Sequence, residues 1–374
     1  MWAKTSESKS GRRAMLALVP SEPGIVIPHE KLDTNPYLFN LRNGTLELRD
    51  DAVHLREHRR EDLITRLAPV CYDPTATCPT FHAYFEHILP DEEVRRFVQR
   101  VVGMCLTGDV SEQVITFLHG SGANGKSVLL LVLHALLGRD YALQAKSDLL
   151  LKQDRGRGHP TELASLFKKN VVVCTELGAG RKLDEPLVKQ LTGGDMINAR
   201  RMREDEWQFA PTHKILVACN HKPRVDGQDH GIWRRIVVVP FEVKIPDAEQ
   251  DKGLVAKLCK ELPGILNWAI DGYLLWRREG LRSPAQVLAA TTSYREEMDV
   301  LADFIAAECV LQTDARVSAK DVYAAYKKWS EAASDVPLNK RTFGCMLTER
   351  GISRLKTGGN NFYLGLGLKT DAPA

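Results

Sequence analysis

The apolar residues in the middle of the chain occur in short unbroken runs separated by helix-like stretches. Such runs are typical of strands in a parallel sheet, because helices bury both faces of that sheet. The two patterns alternate between residues 113 and 245, which predicts an α/β unit with a parallel sheet. The predicted strands are Val114–Leu118, Val171–Thr175, Ile215–Cys219 and Ile236–Phe241.

Other patterns precede and follow this central unit. Asn43-Gly44 lies between two short β-type runs, which predicts a hairpin. Residues 79–106 and 250–300 carry apolar side chains at helical spacing. We therefore expect a small N-terminal domain of hairpin and helices over residues 1–110, an α/β core over 111–245 and a helical segment over 246–300.

A separate small domain is expected over residues 301–374. A helix is predicted over 318–333, where Ser318 and Asp321 have the spacing of a capping box. A second helix is predicted at about 339–350, and a hairpin then turns at residues 358–361. Two helices followed by a two-stranded hairpin predict a winged helix.

Composition restricts the class of protein without identifying a function. The 374 residues are enough for two or three domains, and 44% hydrophobic with 26% charged residues is ordinary for a globular protein. The net charge of +3 permits a nucleic-acid partner only where positive charges cluster locally. No apolar stretch reaches membrane-spanning length, and the eight cysteines are scattered without paired spacing. We therefore expect a cytoplasmic protein with no membrane partner.

One motif carries specific chemistry: a glycine-rich loop between the first predicted strand and a helix. It matches G-x-x-x-x-G-K-[ST], with Lys126 and Ser127 as the last two residues. Its glycines let backbone N–H groups converge on phosphate oxygens, the lysine neutralises the β- and γ-phosphates, and the serine hydroxyl holds Mg²⁺. The motif predicts an ATP and Mg²⁺ site; a chance glycine loop before a buried helix is the alternative. The loop residues are Gly120, Ser121, Gly122, Ala123, Asn124, Gly125, Lys126 and Ser127.

Polar side chains near the other predicted strands could complete this site. Glu176 follows the strand Val171–Thr175, where ligands bind in parallel sheets, and could organise Mg²⁺ and the attacking water. Asn220 follows the next strand and could bond the γ-phosphate and that water. Arg234 and Arg235 precede the last strand and are candidates for an arginine finger that reaches a neighbouring subunit's ATP. The plainer interpretations are a solvated glutamate, an asparagine that makes a turn, and solvated or structurally paired arginines.

The order of these motifs resembles that of superfamily 3 helicases. The resemblance is to the C-terminal helicase part of the phage and plasmid primase family, which includes poxvirus primase-helicases. It extends upstream to residue 32 and downstream into a winged-helix tail, so it covers nearly the whole chain. One departure is Thr175, which stands before Glu176 where many of these helicases carry a second acid. The motifs that carry the resemblance are Gly120–Ser127, Glu176, Lys189–Asp195 with Ala199-Arg200, Phe209–Thr212, Asn220, Asp229–Arg235 and Pro240-Phe241.

The resemblance implies a fold, an activity and an assembly. The fold would be an AAA+-like P-loop core with a C-terminal winged helix. The assembly would be a homo-oligomeric ring, expected to be a hexamer, that unwinds DNA 3′ to 5′ during replication of a phage, plasmid or integrated mobile element. Lys126 and Ser127 would carry ATP and Mg²⁺. Glu176 would be the acid of the second motif, Asn220 the sensor, and Arg235 or Arg234 the finger.

Two groups of basic residues are candidates for contact with DNA. Superfamily 3 helicases place a DNA-gripping hairpin between the segments that correspond to Glu176 and Asn220, where the basic residues here are Arg200, Arg201 and Arg203. In the tail, Lys340 and Arg341 open the second predicted helix and Lys356 lies on the wing, where phosphate contacts are made. A winged helix that docks a protein instead is the alternative for the tail.

Two other functions stay open from the residues alone. One is a P-loop kinase that acts on a small molecule, and the other is an ATP-binding replication initiator without unwinding activity. The roughly 110 residues before the loop are taken up by the domain that precedes the helicase, and they lie at the low end of domain size. We therefore expect no primer synthesis by this polypeptide, and a separate primase is a candidate partner.

Overall fold

A three-stranded antiparallel sheet and three helices form the N-terminal part of the chain. The computed structural model describes residues 6–22, 24–153, 160–178, 180–332 and 337–369. The hairpin predicted at Asn43-Gly44 is present, and a third strand that the pattern did not predict extends its sheet. The elements are α1 (Lys9–Leu18), β1 (Leu38–Leu41), β2 (Gly44–Leu48), β3 (Val53–Arg56), α2 (Pro79–Ile88) and α3 (Glu92–Met104).

The central part of the chain contains the predicted α/β core. Four predicted strands are present with ends that differ by at most one residue, and a fifth strand of only three residues was not predicted. The helix that follows the glycine loop is interrupted at Gly138, where φ is 67° and ψ is 172°. The elements are β4 (Ile115–His119), α4 (Lys126–Tyr141), β5 (Ala142–Gln144), α5 (Pro160–Ala164), β6 (Val171–Thr175), α6 (Glu185–Thr192), β7 (Ile197–Ala199), β8 (Trp207–Phe209), β9 (Lys214–Cys219), α7 (His230–Trp233) and β10 (Ile236–Pro240).

The strand order decides which loops can meet. The order across the sheet is β10-β4-β9-β6-β5, and every neighbouring pair is parallel. All five strands therefore end at the same edge, which we call the carboxyl edge. Because β9 separates β4 from β6, the loops after these three strands are neighbours at that edge.

Hydrophobic clusters cover both faces of this sheet. Val171 and Val173 of β6 belong to one cluster, and Val172 and Cys174 belong to the other, as the alternation of strand side chains requires. The first cluster also contains residues from helices that precede the core along the chain and from helices that follow it. Every helix in the described ranges is too short or too polar to cross a bilayer. The helices that follow the sheet are α8 (Leu254–Leu258), α9 (Leu262–Glu279) and α10 (Ala285–Glu297).

Helices α3 and α9 approach each other with backbone in contact. A Cβ on Gly103 would lie 2.1 Å from the backbone nitrogen of Tyr273, and a Cβ on Gly272 would lie 2.1 Å from the carbonyl oxygen of Gln99. Only glycine allows this separation. The segments over residues 79–104 and 262–279 are therefore packed as one layer on the sheet face that also carries α4.

The last part of the chain forms a small unit with its own hydrophobic cluster, which includes Phe304, Tyr326 and Phe343. Both predicted helices and the predicted hairpin are present, and a preceding strand makes the sheet three-stranded with the order β11-β13-β12. The Asp321 N–H donates to the Ser318 hydroxyl, as in a capping box. The elements are α11 (Val300–Glu308), β11 (Cys309–Ser318), α12 (Ala319–Ala332), α13 (Lys340–Glu349), β12 (Arg354–Thr357) and β13 (Asn360–Leu368).

Candidate nucleotide-binding site

The loop between β4 and α4 has a backbone that depends on its glycines. Gly122 and Gly125 have φ values of 101° and 84°, and Ala123 between them is also left-handed at 50°. A Cβ on Gly120 would lie 2.2 Å from the carbonyl oxygen of Phe241, which follows β10. The loop is therefore tightly curled and held against the neighbouring strand end.

Lys126 begins α4 and turns its amine back into this loop. The side chain is buried, and burial lowers the pKa of the Lys126 amine from its ordinary value. Asn124 is also buried, and its amide nitrogen donates to the Phe241 carbonyl oxygen at 3.2 Å. The Lys126 amine donates to three oxygens: the carbonyl of Gly120 at 2.9 Å, Oδ1 of Asn124 at 2.9 Å and Oδ1 of Asn220 at 3.2 Å.

A cavity of about 1010 Å³ at the carboxyl edge brings three predicted site residues together. Lys126, Glu176 and Asn220 all line it, as do the loop residues from Gly122 to Ser127. Glu176 has a left-handed backbone with φ of 57°, and its N–H donates to the Ala218 carbonyl at 3.1 Å. This turn directs the chain out of β6 and leaves the Glu176 side chain exposed.

The opposite wall of the cavity contains residues that sequence reasoning missed. Tyr84 of α2 lines it, together with the segment between β10 and α8. The helical spacing of Tyr84 predicted burial alone, and no motif marks the segment. The residues in the cavity wall are Ile245, Gln250, Asp251 and Lys252 of that segment, followed by Leu254 at the start of α8.

Arg234 and Arg235 lie at the other edge of the sheet. The Arg235 carbonyl accepts from the N–H of Ile115, the first residue of β4, so a strand length of about 16 Å separates these arginines from the loop after β4. The Arg235 side chain is buried and donates to the Thr192 hydroxyl at 3.1 Å and to the Gly231 carbonyl. Arg234 is exposed and donates to Gln113 Oε1 at 2.7 Å.

The predicted hairpin between Glu176 and Asn220 is formed by β7 and β8, which pair antiparallel. Arg201 forms an ion pair with Glu204 at 3.8 Å and lies over the Trp207 ring at 5.7 Å. Arg200 and Arg203 are exposed in the connecting loop, and neither side chain has an ion pair or hydrogen bond to another described residue. The hairpin therefore presents two cations, Arg200 and Arg203, that have no partner among the described residues.

In the C-terminal unit, Lys340 and Arg341 begin α13 and line a cavity of about 750 Å³. Arg354 of β12 lines the same cavity, and Lys356 lies two residues further along, on the same side of the strand. Within the part of the chain that the structure describes, these four side chains have no hydrogen-bond or ion-pair partner. Arg354 thus lies in one cavity with the two basic residues that begin α13.

Comparison with protein families and with individual proteins gives consistent matches. Residues 1–90 match the family "D5 N terminal like", residues 118–235 match a "Family of unknown function (DUF5906)", and residues 296–350 match "Poxvirus D5 protein-like". The chain is therefore similar to poxvirus D5-like proteins over its first 90 residues and over residues 296–350. This finding confirms the resemblance to poxvirus primase-helicases that the motif order indicated.

Individual relatives of this chain come from large DNA viruses. "Putative helicase L207/L206" of Acanthamoeba polyphaga mimivirus is 30% identical over 80% of the chain and 33% of its own length. "Putative helicase 121R" of Invertebrate iridescent virus 3 is 26% identical over 83% of the chain and 37% of its own length. "Putative primase C962R" of African swine fever virus is 23% identical over 82% of the chain and 34% of its own length. This chain therefore spans about a third of the length of these relatives.

The chain also shares its fold with a solved structure. The apo C-terminal region of NrS-1 superposes with a TM-score of 0.55 at 11% sequence identity, over 90% of this chain and 83% of that one. At this identity the likeness concerns the fold alone.

Proposed function

We propose that this chain is an ATP-hydrolysing motor of the superfamily 3 helicase type that unwinds DNA during replication of a phage, plasmid or integrated mobile element. The observation that carries the proposal is the cavity at the carboxyl edge. Lys126 with its amine, Glu176 with its carboxylate and Asn220 with its amide all line this one cavity. The similarity to helicase-named viral proteins supports the same class of activity.

The residues of the cavity suit a nucleoside triphosphate with Mg²⁺. The curled loop leaves no room for a Cβ at Gly120 or Gly125, as a backbone that approaches phosphate oxygens requires. Lys126 can exchange its contacts with loop oxygens for contacts with phosphate oxygens without leaving the loop. The Ser127 hydroxyl and the Glu176 carboxylate are hard oxygen ligands of the kind that Mg²⁺ prefers. Bound Mg²⁺ would neutralise charge that develops on the transferred phosphoryl group.

The remaining cavity residues supply orientation. The Glu176 carboxylate can accept a proton from a water that attacks the γ-phosphorus, and the Asn220 amide can hold that water through a neutral hydrogen bond. Thr175, where many relatives of this type carry an acid, adds a hydroxyl that already accepts from Gln144 at 3.2 Å. In the proposed mechanism Glu176 is therefore the acidic residue that acts on the water.

Hydrolysis measured with and without single-stranded DNA tests the proposal against its alternatives. A helicase motor should release phosphate faster when DNA is present and should displace a strand from a forked duplex. Phosphorylation of a small acceptor would favour a kinase, and nucleotide binding without turnover would favour a replication initiator. Template-dependent incorporation of ribonucleotides by the purified chain would contradict our proposal that it does not synthesise primers.

We further propose that the active assembly is a ring, with six subunits as the expected number, in which Arg234 completes the neighbour's site. Arg234 and Arg235 lie about a strand length from their own loop, so neither can reach the nucleotide of its own subunit. Arg235 is buried in bonds to Thr192 and Gly231, whereas Arg234 is exposed. These contacts favour Arg234 as the finger and a structural role for Arg235.

Mixing two inactive variants tests the shared site. Arg234→Ala alone should lose hydrolysis, and so should Lys126→Ala alone. In an equal mixture, about a quarter of the interfaces join an intact Lys126 to an intact Arg234, so activity should return in proportion. A mixture of Lys126→Ala with the Lys126→Ala/Arg234→Ala double variant forms no complete site and should stay inactive. Full activity of Arg234→Ala alone would exclude the finger role.

We propose that DNA phosphates are bound at the hairpin by Arg200, Arg201 and Arg203, and at the C-terminal unit by a basic strip. This strip consists of Lys340, Arg341, Arg354 and Lys356, on a unit whose helices and wing suit a winged helix. The cations of the strip have no partner among the residues that the structure describes, which favours an external anion over a structural role. Arg201 is the least available of the hairpin residues because it is paired with Glu204.

Replacing Lys340 and Arg341 with alanine should weaken binding of duplex DNA and flatten its salt dependence. Two lost phosphate contacts should reduce the slope of log K against log salt by about 2. The affinity is measured by fluorescence anisotropy from low to moderate salt. The control is Lys327→Ala/Lys328→Ala, which removes the same charge from the exposed side of α12. An equal slope for both double variants would assign the strip to protein docking.

A further inference from the structure

Tyr84 connects the N-terminal part of the chain to the nucleotide loop. Its hydroxyl donates to the Gly125 carbonyl oxygen at 2.7 Å. Gly125 immediately precedes Lys126 and is the N-cap residue of α4, with φ of 84°. The contact therefore reaches the loop from a helix that lies outside the parallel sheet, at the residue where the loop becomes a helix.

The side chain of Tyr84 is almost completely buried. It is only 7% exposed, and burial raises the pKa of its hydroxyl, so the group stays protonated and remains a donor. A Cβ on Gly125 would lie 3.2 Å from the Tyr84 ring and 2.6 Å from Cγ2 of Ile88, one turn further along α2. Helix α2 therefore packs directly against the loop backbone as well as donating to it.

Helix α2 is itself anchored to the part of the chain that follows the sheet. The Glu261 carboxylate accepts from the backbone N–H groups of Thr80 at 3.1 Å and Phe81 at 2.9 Å. Glu261 follows α8, whose first residue, Leu254, lines the cavity. Phe81 and Phe85 also pack edge-on against Trp268 of α9, with ring centroids 4.8 and 5.0 Å away. Helix α2, and Tyr84 with it, is therefore fixed by contacts that do not involve the loop.

We infer that Tyr84 is a positioning residue for nucleotide binding, which holds the Gly125 peptide so that the loop is preformed for phosphates. The inference rests on the proposed function of the cavity and deepens it. A loop that is held in its bound shape loses less conformational freedom on binding, so the contact contributes to affinity. It involves no reacting atom, so it should act equally on the ground state and on the transition state.

The test is Tyr84→Phe, which removes the hydroxyl and keeps the ring. The matched control is Tyr273→Phe, because the Tyr273 hydroxyl is buried in the same hydrophobic cluster and donates to the Leu48 carbonyl at 3.0 Å, away from the loop. Affinity is measured by titration with a fluorescent ATP analogue in the presence of Mg²⁺. The turnover number is measured from phosphate release at saturating ATP.

Tyr84→Phe should raise the dissociation constant of the nucleotide roughly 3- to 10-fold, the effect of one lost hydrogen bond, and change the turnover number less than about 2-fold. Each variant loses one buried hydrogen bond, so both should lower the melting temperature by a similar amount. Tyr273→Phe should nevertheless leave the dissociation constant within about 2-fold of wild type. Equal dissociation constants for the two variants would overturn the inference.

Lys126→Ala separates failure of this inference from failure of the proposed function. If Lys126→Ala binds the analogue as tightly as wild type does, the cavity is not the nucleotide site, and both the function and the role of Tyr84 are wrong. If Lys126→Ala loses binding while Tyr84→Phe matches Tyr273→Phe, the nucleotide site stands and only the positioning role is wrong.

Discussion

Replacing Lys126 with alanine should reduce ATP hydrolysis by roughly 100-fold or more, because a buried cation that meets the β- and γ-phosphates stabilises charge in the transition state. The amine already lies 2.9 Å from the Gly120 carbonyl oxygen inside the loop, so little rearrangement is needed for phosphate to take that place. Phosphate release at saturating ATP, with single-stranded DNA present, measures the loss. Strand displacement should disappear in parallel.

A second lysine provides a matched control for this variant. The Lys169 amine also donates to two carbonyl oxygens, those of Arg139 at 2.6 Å and Asp140 at 3.2 Å, and burial lowers its pKa as well. It lies before β6, at the edge opposite the loop. Lys169→Ala should therefore cost stability while retaining most of the hydrolysis. Equal losses in the two variants would attribute the effect of Lys126→Ala to the fold and not to phosphate binding.

Gly103→Ala should destabilise the protein by about 3 kcal/mol, because the added methyl group has no space between α3 and α9. Its Cβ would lie 2.1 to 2.7 Å from backbone atoms of Gly272 and Tyr273, so the two helices must move apart. A helix interior normally favours alanine over glycine by roughly 1 kcal/mol, so the sign of the effect is diagnostic of the contact. The free energy of unfolding in urea, followed by circular dichroism, measures it.

The control adds the same methyl group where nothing rigid opposes it. Gly253 has φ of −91°, and the atom nearest to an added Cβ is a carboxylate oxygen of Asp251 at 3.3 Å. Gly253→Ala should change the free energy of unfolding by less than about 1 kcal/mol. If Gly103→Ala is no more destabilising than this control, the close approach of α3 and α9 is wrong.

The sheet and the loop could be predicted because their causes are local. A strand buried on both faces needs an unbroken apolar run, and such runs located four strands to within one residue. The strand Ala142–Gln144 was missed because three residues are too few for a pattern. The loop was predictable for the same local reason, since its spacing of glycines, lysine and serine is a requirement of phosphate geometry within eight consecutive residues.

Contacts between distant segments could not be predicted in this way. The two neighbouring arginines have the same chemistry in sequence, but a short helix before β10 turns Arg235 into the protein and leaves Arg234 exposed. The wing shows the same limit. Arg354 lines the C-terminal cavity because β12 pairs with β13 beside α13, and no local pattern distinguishes it from Lys356.

The sequence by itself determined the class of core, the position of the glycine loop and the set of polar residues available at the strand ends. The sequence offered Glu176 and Asn220 as candidates for the site of Lys126, and the tertiary structure decided that the three share one cavity, because strand order sets which ends are neighbours. It also decided that the hydroxyl of Tyr84, 41 positions before Gly125, donates to the carbonyl of the residue next to that lysine. Hydrophobic periodicity and sequence motifs depend on residues that are neighbours along the chain. Cavities depend on which distant segments pack together, and the periodic pattern does not specify those pairs.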